Sequence, residues 1–243
     1  MNTRSSYVAR WLTVVSFALA MAWVESAVVF YLRTLVDRLE PYQSMPLPMA
    51  TGLGSAELVR EAATLVMLFI VGVLAGKTWR ARLGYSAIAF GVWDIFYYVF
   101  LKAMCDWPHS LLDWDVLFLL PLPWWGPVLA PMLIALLMII WGTLASRCDR
   151  GQAPRRLNLG VWALNVLGMA LALYVFMADS LRVAHEGGLA LRNLLPTQFN
   201  WPLFCLALAL LSAPVGHELR QLWPRGTVRT PRPTGSARAM ENH

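Results

Sequence analysis

Long apolar stretches alternate with short polar connectors along this chain, a pattern typical of a protein that crosses a membrane repeatedly. A helix that spans a hydrocarbon core of about 30 Å needs about 20 mostly apolar residues. Six stretches meet or approach that length, at about 9–32, 56–76, 83–102, 126–145, 159–178 and 201–215. The pattern predicts an all-α integral membrane protein with six transmembrane helices. We expect residues 1–216 to form the membrane domain and residues 217–243 a basic, disordered cytoplasmic tail.

A proline-rich segment interrupts the pattern before the fourth span. The segment 111–131 is apolar but contains four prolines: Pro121, Pro123, Pro127 and Pro131. Proline lacks a backbone donor and breaks regular helix. Irregular backbone at membrane depth is tolerated only where it is buried in protein or lines a cavity. We therefore expect residues 113–125 to form an interfacial or re-entrant piece.

The composition supports the membrane assignment and excludes nucleic acid as a partner. Hydrophobic residues make up 58% of the chain and charged residues 14%, well below the roughly 25% of a soluble domain. The net charge is +6, but the basic residues lie in the connectors between apolar stretches and form no single patch. The lipid bilayer is the partner that this distribution predicts, with a second membrane protein as a further alternative.

The basic residues also predict the orientation. Lys and Arg concentrate before the first span, at 77–82, at 147–156 and in the tail. Because cytoplasmic loops carry the excess of Lys and Arg, both termini are expected in the cytoplasm of a cell with a bacterial-type inner membrane. Ala20-Met21-Ala22 is similar to a signal-peptide cleavage site. The apolar run continues to Leu32, however, so we expect an uncleaved helix.

Carboxylates inside the predicted spans are the strongest indication of function. Asp94 lies within the apolar segment 90–98, where a charge costs about 2.5–3.5 kcal/mol on insertion scales. At 1.5 Å per residue, Asp94 lies near the midplane and Glu25 roughly 6–8 Å beyond it. The acidic residues of the spans therefore concentrate in the outer half, and something must offset their burial: a partner charge, water, an ion or a proton.

Helical spacing groups these residues into one predicted, outward-facing polar pocket. Glu61 lies one turn after Glu57, and Tyr97 and Tyr98 lie one turn after Asp94, where their phenols can donate to it. The predicted pocket residues are Glu25, Arg60, Glu61, Asp94, Tyr97, Tyr98, and Asp113 or Asp115. The structural alternative is that Asp94 bonds a neighbouring helix and that Arg60 and Glu61 form an ion pair at the membrane surface.

Three functions are compatible with this pocket. The first is a binding or transport protein for a proton, a metal cation or a small cationic molecule, since carboxylates and hydroxyls are hard oxygen ligands. The second is an accessory subunit that pairs with another membrane protein. The third is a membrane enzyme acting on a lipid or isoprenoid, with Asp94 and Glu61 as general acid and base. The chain has none of the common hydrolase, metalloprotease or nucleotide-binding motifs, and its sequence leaves the identity of any cofactor unknown.

Overall fold

The structure, a computed structural model, describes residues 3–43, 52–119, 121–147 and 158–222. Most of the predicted basic loop 147–156, and the tail beyond residue 222, lie outside the described residues. Within the described part, six helical segments are long and apolar enough to cross a membrane. This confirms the prediction of an all-α membrane protein with six spans.

The elements follow one another in the order of the predicted spans. The first three spans are α1 (Thr3–Leu35), α2 (Gly52–Ala75) and α3 (Trp79–Cys105). Two short strands follow, β1 (Trp114–Val116) and β2 (Trp125–Pro127), and then α4 (Leu129–Ser146) and α5 (Leu159–Val183). A 3-10 turn at Ala184–Glu186 and the short α6 (Gly188–Arg192) lead to the sixth span, formed by α7 (Trp201–Leu211) and α8 (Ala213–Leu222).

The helix ends are set by local side chains. Thr78 caps α3 by accepting the Ala81 N–H at 3.2 Å. Asn158 and Asn200 do the same for α5 and α7. These caps satisfy backbone donors that the first helical turn leaves unpaired.

The proline-rich segment before α4 forms a hairpin. Strands β1 and β2 pair antiparallel, with Asp115 opposite Gly126 and Val116 opposite Trp125. Asp115 and Trp125 are almost completely buried, so the strands pack inside the protein. The expected proline-broken piece is thus present, and it lies against the helices because its backbone groups must be satisfied there.

Helix α3 is the centre of the bundle and packs against α1, α2 and α4. Small residues allow its close approach to α4: a Cβ added at Gly84 would lie 2.9 Å from the Gly142 carbonyl oxygen. Helix α5 packs mainly against α7, while α4 contacts both groups of helices.

The sixth span extends further than predicted. Its helical residues continue through α8 to Leu222, past the predicted end at 215, so the first residues assigned to the tail are helical. Glu218, almost fully buried, forms an ion pair with Arg80 at the start of α3. This ion pair connects α8 to the bundle. It also compensates the buried charge of Glu218.

Candidate functional site

A cavity of about 820 Å³ runs along one face of α3. The face is defined by residues at helical spacing: Arg80, Leu83, Ala87, Phe90, Asp94, Tyr97 and Tyr98. At 1.5 Å per residue, this face is about 27 Å long, close to the thickness of a hydrocarbon core. The cavity therefore extends over most of the depth of the bundle.

Among the described residues, the side of the cavity is open between α2 and α5. No Cα atom of α2 lies within 8 Å of a Cα atom of α5, although both helices line the cavity. Leu65 and Phe69 of α2 and Met169 of α5 line it while remaining 37%, 44% and 50% exposed. These three residues form the rim of a lateral opening, and α3 and α4 form the back wall.

Charged residues line the end of the cavity that lies nearest the hairpin. We call this end of the cavity the polar end. Its carboxylates are Glu25, Glu57, Glu61, Asp94 and Asp115, and its guanidinium groups are Arg33, Arg38 and Arg60. If all of them are ionised, negative charge is in excess. The remainder of the lining, towards Arg80, is mostly apolar.

Arg60 is held by two carboxylates. It forms ion pairs with Glu25 of α1 and Glu57 of α2, and its Nε donates to Glu57 at 2.9 Å. Glu25 also accepts the Thr64 hydroxyl at 3.1 Å. This cluster joins α1 to α2, and its acidic side chains are already satisfied.

Glu61 holds the hairpin loop against α2. Both of its carboxylate oxygens accept the backbone N–H of Leu119, each at 3.2 Å. The side chain is buried, so this bond satisfies a backbone donor that would otherwise be costly inside the protein. Its position favours a structural role for Glu61 as well as its place in the cavity lining.

Asp115 is the most completely bonded carboxylate of the polar end. It accepts from Arg33 at 3.1 Å, from the Val116 N–H at 2.9 Å and from the Tyr98 hydroxyl. Burial raises the pKa of Asp115 above its ordinary value, although the Arg33 charge opposes that shift. Arg33 also lies over the Trp107 ring, 4.2 Å from its centroid. The hairpin is thereby tied to α1 and α3.

Asp94 is different, because its carboxylate is buried without a partner. The residue is 8% exposed and lines the cavity. Its Oδ2 atom receives no hydrogen bond from the described residues. The predicted bonds from Tyr97 and Tyr98 are not found: the Tyr98 hydroxyl goes to Asp115, and it is the backbone carbonyl of Tyr97 that is bonded, by Ser26. An unpaired buried acceptor of this kind calls for an explanation such as a bound ion or ligand.

Aromatic rings line the cavity on both sides of Asp94. Consecutive ring centroids lie 5.0–6.4 Å apart along a continuous chain, in the order Tyr98, Tyr97, Trp93, Phe90, Phe118 and Trp124. The indole nitrogens of Trp93 and Trp124 are buried and have no acceptor among the described residues. The cavity lining therefore combines π faces, two unused indole N–H donors and the unused Asp94 Oδ2 atom.

The structure brings seven of the eight predicted pocket residues to one cavity. Glu25, Arg60, Glu61, Asp94, Tyr97, Tyr98 and Asp115 line it, and Asp113 does not. The Asp113 carboxylate instead accepts the backbone N–H groups of His109 and Ser110, at 2.7 and 3.1 Å. Of the two aspartates that were alternatives for the pocket, Asp115 is the one that lines it.

Several lining residues were not found from the sequence. Phe90 lies four residues before Asp94, and Trp93 lies four residues before Tyr97, so helical spacing alone would have found them. Arg33 and Phe118 carry no such signal, because their place in the cavity lining depends on how α1 and the hairpin pack. The same is true of the aromatic chain, which joins two separate elements.

Metal-ion chemistry gains no support from the side chains. Within residues 3–43, 52–119, 121–147 and 158–222, no group of three or more His, Cys, Asp or Glu side chains is placed to hold a metal ion. No protein-family model, curated protein or solved structure matches this chain. Functional inference therefore depends on the cavity itself.

Proposed function

We propose that this protein binds an organic cation in the cavity, with Asp94 as the counter-charge, and moves it across the membrane. The observation that carries the proposal is the buried Asp94 carboxylate, which lines the cavity with Oδ2 unbonded. Leaving a buried acceptor unsatisfied costs about 1–3 kcal/mol, and more for a charged group. A cationic guest would remove that cost.

The electrostatics of the polar end favour a cation over an anion. Five carboxylates and three guanidinium groups line it, and Arg33 and Arg60 are already engaged in ion pairs. With these carboxylates ionised, an anion would meet an excess of negative charge in a medium of low dielectric constant, where such repulsion is strong.

The aromatic lining favours an organic cation over a metal ion. Ammonium groups are attracted to the faces of Trp, Tyr and Phe rings within about 6 Å, most strongly where water is excluded. Metal ions in proteins usually require several oxygen, nitrogen or sulfur ligands. At Asp94 one free carboxylate stands among aromatic rings, which suits a single delocalised or alkylated positive charge.

The place of the cavity in the predicted topology supports a role in transport. The positive-inside pattern puts the polar end in the outer half of the membrane, so the cation would be taken up or released on that side. Asp94 also offers a simple coupling to protons. Protonation of this carboxylate removes the charge that attracts the cation, so binding of a proton opposes binding of the cation.

The geometry gives the enzyme alternative less support. That hypothesis assigns acid and base roles to Asp94 and Glu61, but both Glu61 oxygens accept the Leu119 N–H. These bonds tie the Glu61 carboxylate to the backbone of the hairpin loop. Glu61 is better suited to holding the hairpin loop than to proton transfer.

Calorimetric titration of the solubilised protein with tetramethylammonium, a compact organic cation, tests the proposal. We expect saturable binding by the wild type and a loss of at least about tenfold in affinity in Asp94→Asn, equivalent to about 1.4 kcal/mol. Asp113→Asn is the matched control, because it removes a carboxylate outside the cavity lining and its amide oxygen can still accept the turn bonds. Equal affinities of the wild type and Asp94→Asn would refute the proposal.

A further inference from the structure

The region of the cavity beyond Asp94 is long, apolar and open to the side. From Asp94 to Arg80, α3 covers about 21 Å. The walls along this length are mainly aliphatic and aromatic, with Ser86 and Asn165 among the few polar side chains. A small cation held at Asp94 would leave this whole region unused.

We infer, building on the proposed function, that the occupant is a single-chain amphiphilic cation that enters from the bilayer through the gap between α2 and α5. Its positive head lies at Asp94 and the aromatic rings. Its apolar tail lies along the cavity towards Arg80, between the rim residues Leu65, Phe69 and Met169.

The energetics agree with lateral access. A tail in the bilayer is already in an apolar medium, and lipid tails are as apolar as leucine. Moving the tail into the cavity therefore costs little, whereas an aqueous route would expose it to water. Specificity then comes from the head, because the acidic polar end and the π faces attract positive charge.

The dimensions favour a chain over a transmembrane helix of a partner. The cavity volume of about 820 Å³ lies within the range of about 300–1,000 Å³ of small-molecule sites. A single-chain ligand therefore suits the cavity better than a whole transmembrane helix does.

The test compares two probes that share one head. Dodecyltrimethylammonium has a tail and tetramethylammonium has none. Each is equilibrated by dialysis with the full-length protein in phosphatidylcholine nanodiscs, and binding to empty nanodiscs of the same lipid is subtracted. We expect saturable binding of about one dodecyl probe per protein, with an affinity reduced by about tenfold or more in Asp94→Asn.

Rim variants test the lateral route. Met169→Trp and Leu65→Trp place bulk in the opening from either side and should weaken dodecyl-probe binding by about tenfold, with no change in tetramethylammonium binding. Leu167→Trp and Val66→Trp are the matched controls, since these neighbours are similarly exposed but do not line the cavity. Both controls should bind the dodecyl probe as the wild type does. Using one pair on each helix guards against a single variant that fails to fold.

The outcomes separate the two proposals. If the wild type binds tetramethylammonium through Asp94 but does not retain the dodecyl probe, the amphiphile inference is wrong and the proposed function stands. If the rim variants bind the dodecyl probe as the controls do, the lateral route is wrong. If Asp94→Asn binds both probes as the wild type does, the proposed function itself fails. Co-purification of a second polypeptide that blocks the dodecyl probe would show that a protein partner occupies the cavity, which would also overturn the inference.

Discussion

Asp115 and Asp94, two carboxylates of the polar end, are both buried but differ in their hydrogen bonding. Asp115 receives hydrogen bonds from Arg33, Tyr98 and its neighbouring backbone. Asp94 receives none at Oδ2 from the described residues. A fully bonded buried group contributes to a defined structure, whereas an unbonded one is a cost to the fold. The difference separates a carboxylate that holds the protein together from one that is available to a ligand.

Breaking the ion pair between Arg33 and Asp115 should give the largest loss of stability. Arg33→Ala leaves Asp115 buried without its counter-charge, and removing one partner of a buried pair typically costs about 3–5 kcal/mol. We expect a loss of that size in the free energy of unfolding, measured by denaturation in mixed micelles. The Arg33–Asp115 side chains are only 12% and 2% exposed, so solvent screening should reduce the effect little.

The double variant Arg33→Ala/Asp115→Asn sharpens this result. Removing both charges should recover part of the lost stability, because no unpaired charge then remains buried. The recovery should be incomplete, since Arg33 also packs over Trp107. A cost below about 1 kcal/mol for Arg33→Ala would place this pair with exposed ion pairs and remove the contrast with Asp94.

The position of Asp94 depends on the close contact between α3 and α4, which we call the seam. Disturbing the seam should give a second, smaller loss of stability. A Cβ added at Gly91 would lie 2.5 Å from the Ala135 carbonyl oxygen and 2.8 Å from Ile139. We expect Gly91→Ala to cost about 1–3 kcal/mol through overpacking, measured by the same unfolding experiment. It should also weaken cation binding, because α3 must shift.

Gly188→Ala is the control for this substitution. A Cβ there meets nothing within 4 Å, so its stability should match the wild type. If Gly91→Ala is equally neutral, the seam is not tightly packed and Asp94 is not fixed by it.

The spans and most of the pocket were predictable because they depend on local pattern. Apolar length gives the six spans. Glu61, Asp94 and Tyr97 share the cavity because helical spacing and depth are both readable from one chain. Arg60 was identified as the cation near the acidic residues, and it does pair with Glu25.

The bonding partners were not predictable, because they depend on how separate elements meet. Tyr98 lies one turn from Asp94, which favoured a bond between them, but the hairpin brings Asp115 to Tyr98 instead. The Arg33–Asp115 pair joins residues 82 positions apart. The opening between α2 and α5 likewise follows from helix order, on which a single sequence gives no information.

Removing an exposed carboxylate, that of Asp106, should give the next smaller loss of stability. Asp106 contrasts with the two buried carboxylates because it lies in water. Asp106 pairs with Lys102 at 2.7 Å but is 81% exposed. The hydrogen bond from Lys102 holds the pKa of Asp106 below its ordinary value. Its stabilising contribution is therefore present above the unfolded-state pKa and is lost as the pH falls through the folded-state pKa.

Asp106→Asn tests that sign. We expect a small decrease in thermal stability at neutral pH that disappears in strong acid and is reduced by added salt. Asn is the suitable replacement because Asp106 has a φ of 58°, which Asn tolerates better than most residues. A decrease that persists unchanged in acid would mean that the amide is disfavoured for a reason other than lost charge.

The last and smallest expected effect on stability is that of Asp94→Asn, and it separates the two buried carboxylates most directly. Neutralising Asp94 removes a buried charge that makes no bond at Oδ2, so the free energy of unfolding should stay within about 0.5 kcal/mol of the wild type or rise. Asp115→Asn should lower it clearly, because Arg33 then loses its partner. Cation binding should show the reverse order, with the greater loss in Asp94→Asn. If Asp94→Asn destabilises the protein as much as Asp115→Asn does, Asp94 is a structural residue and a cation need not be invoked to explain its burial.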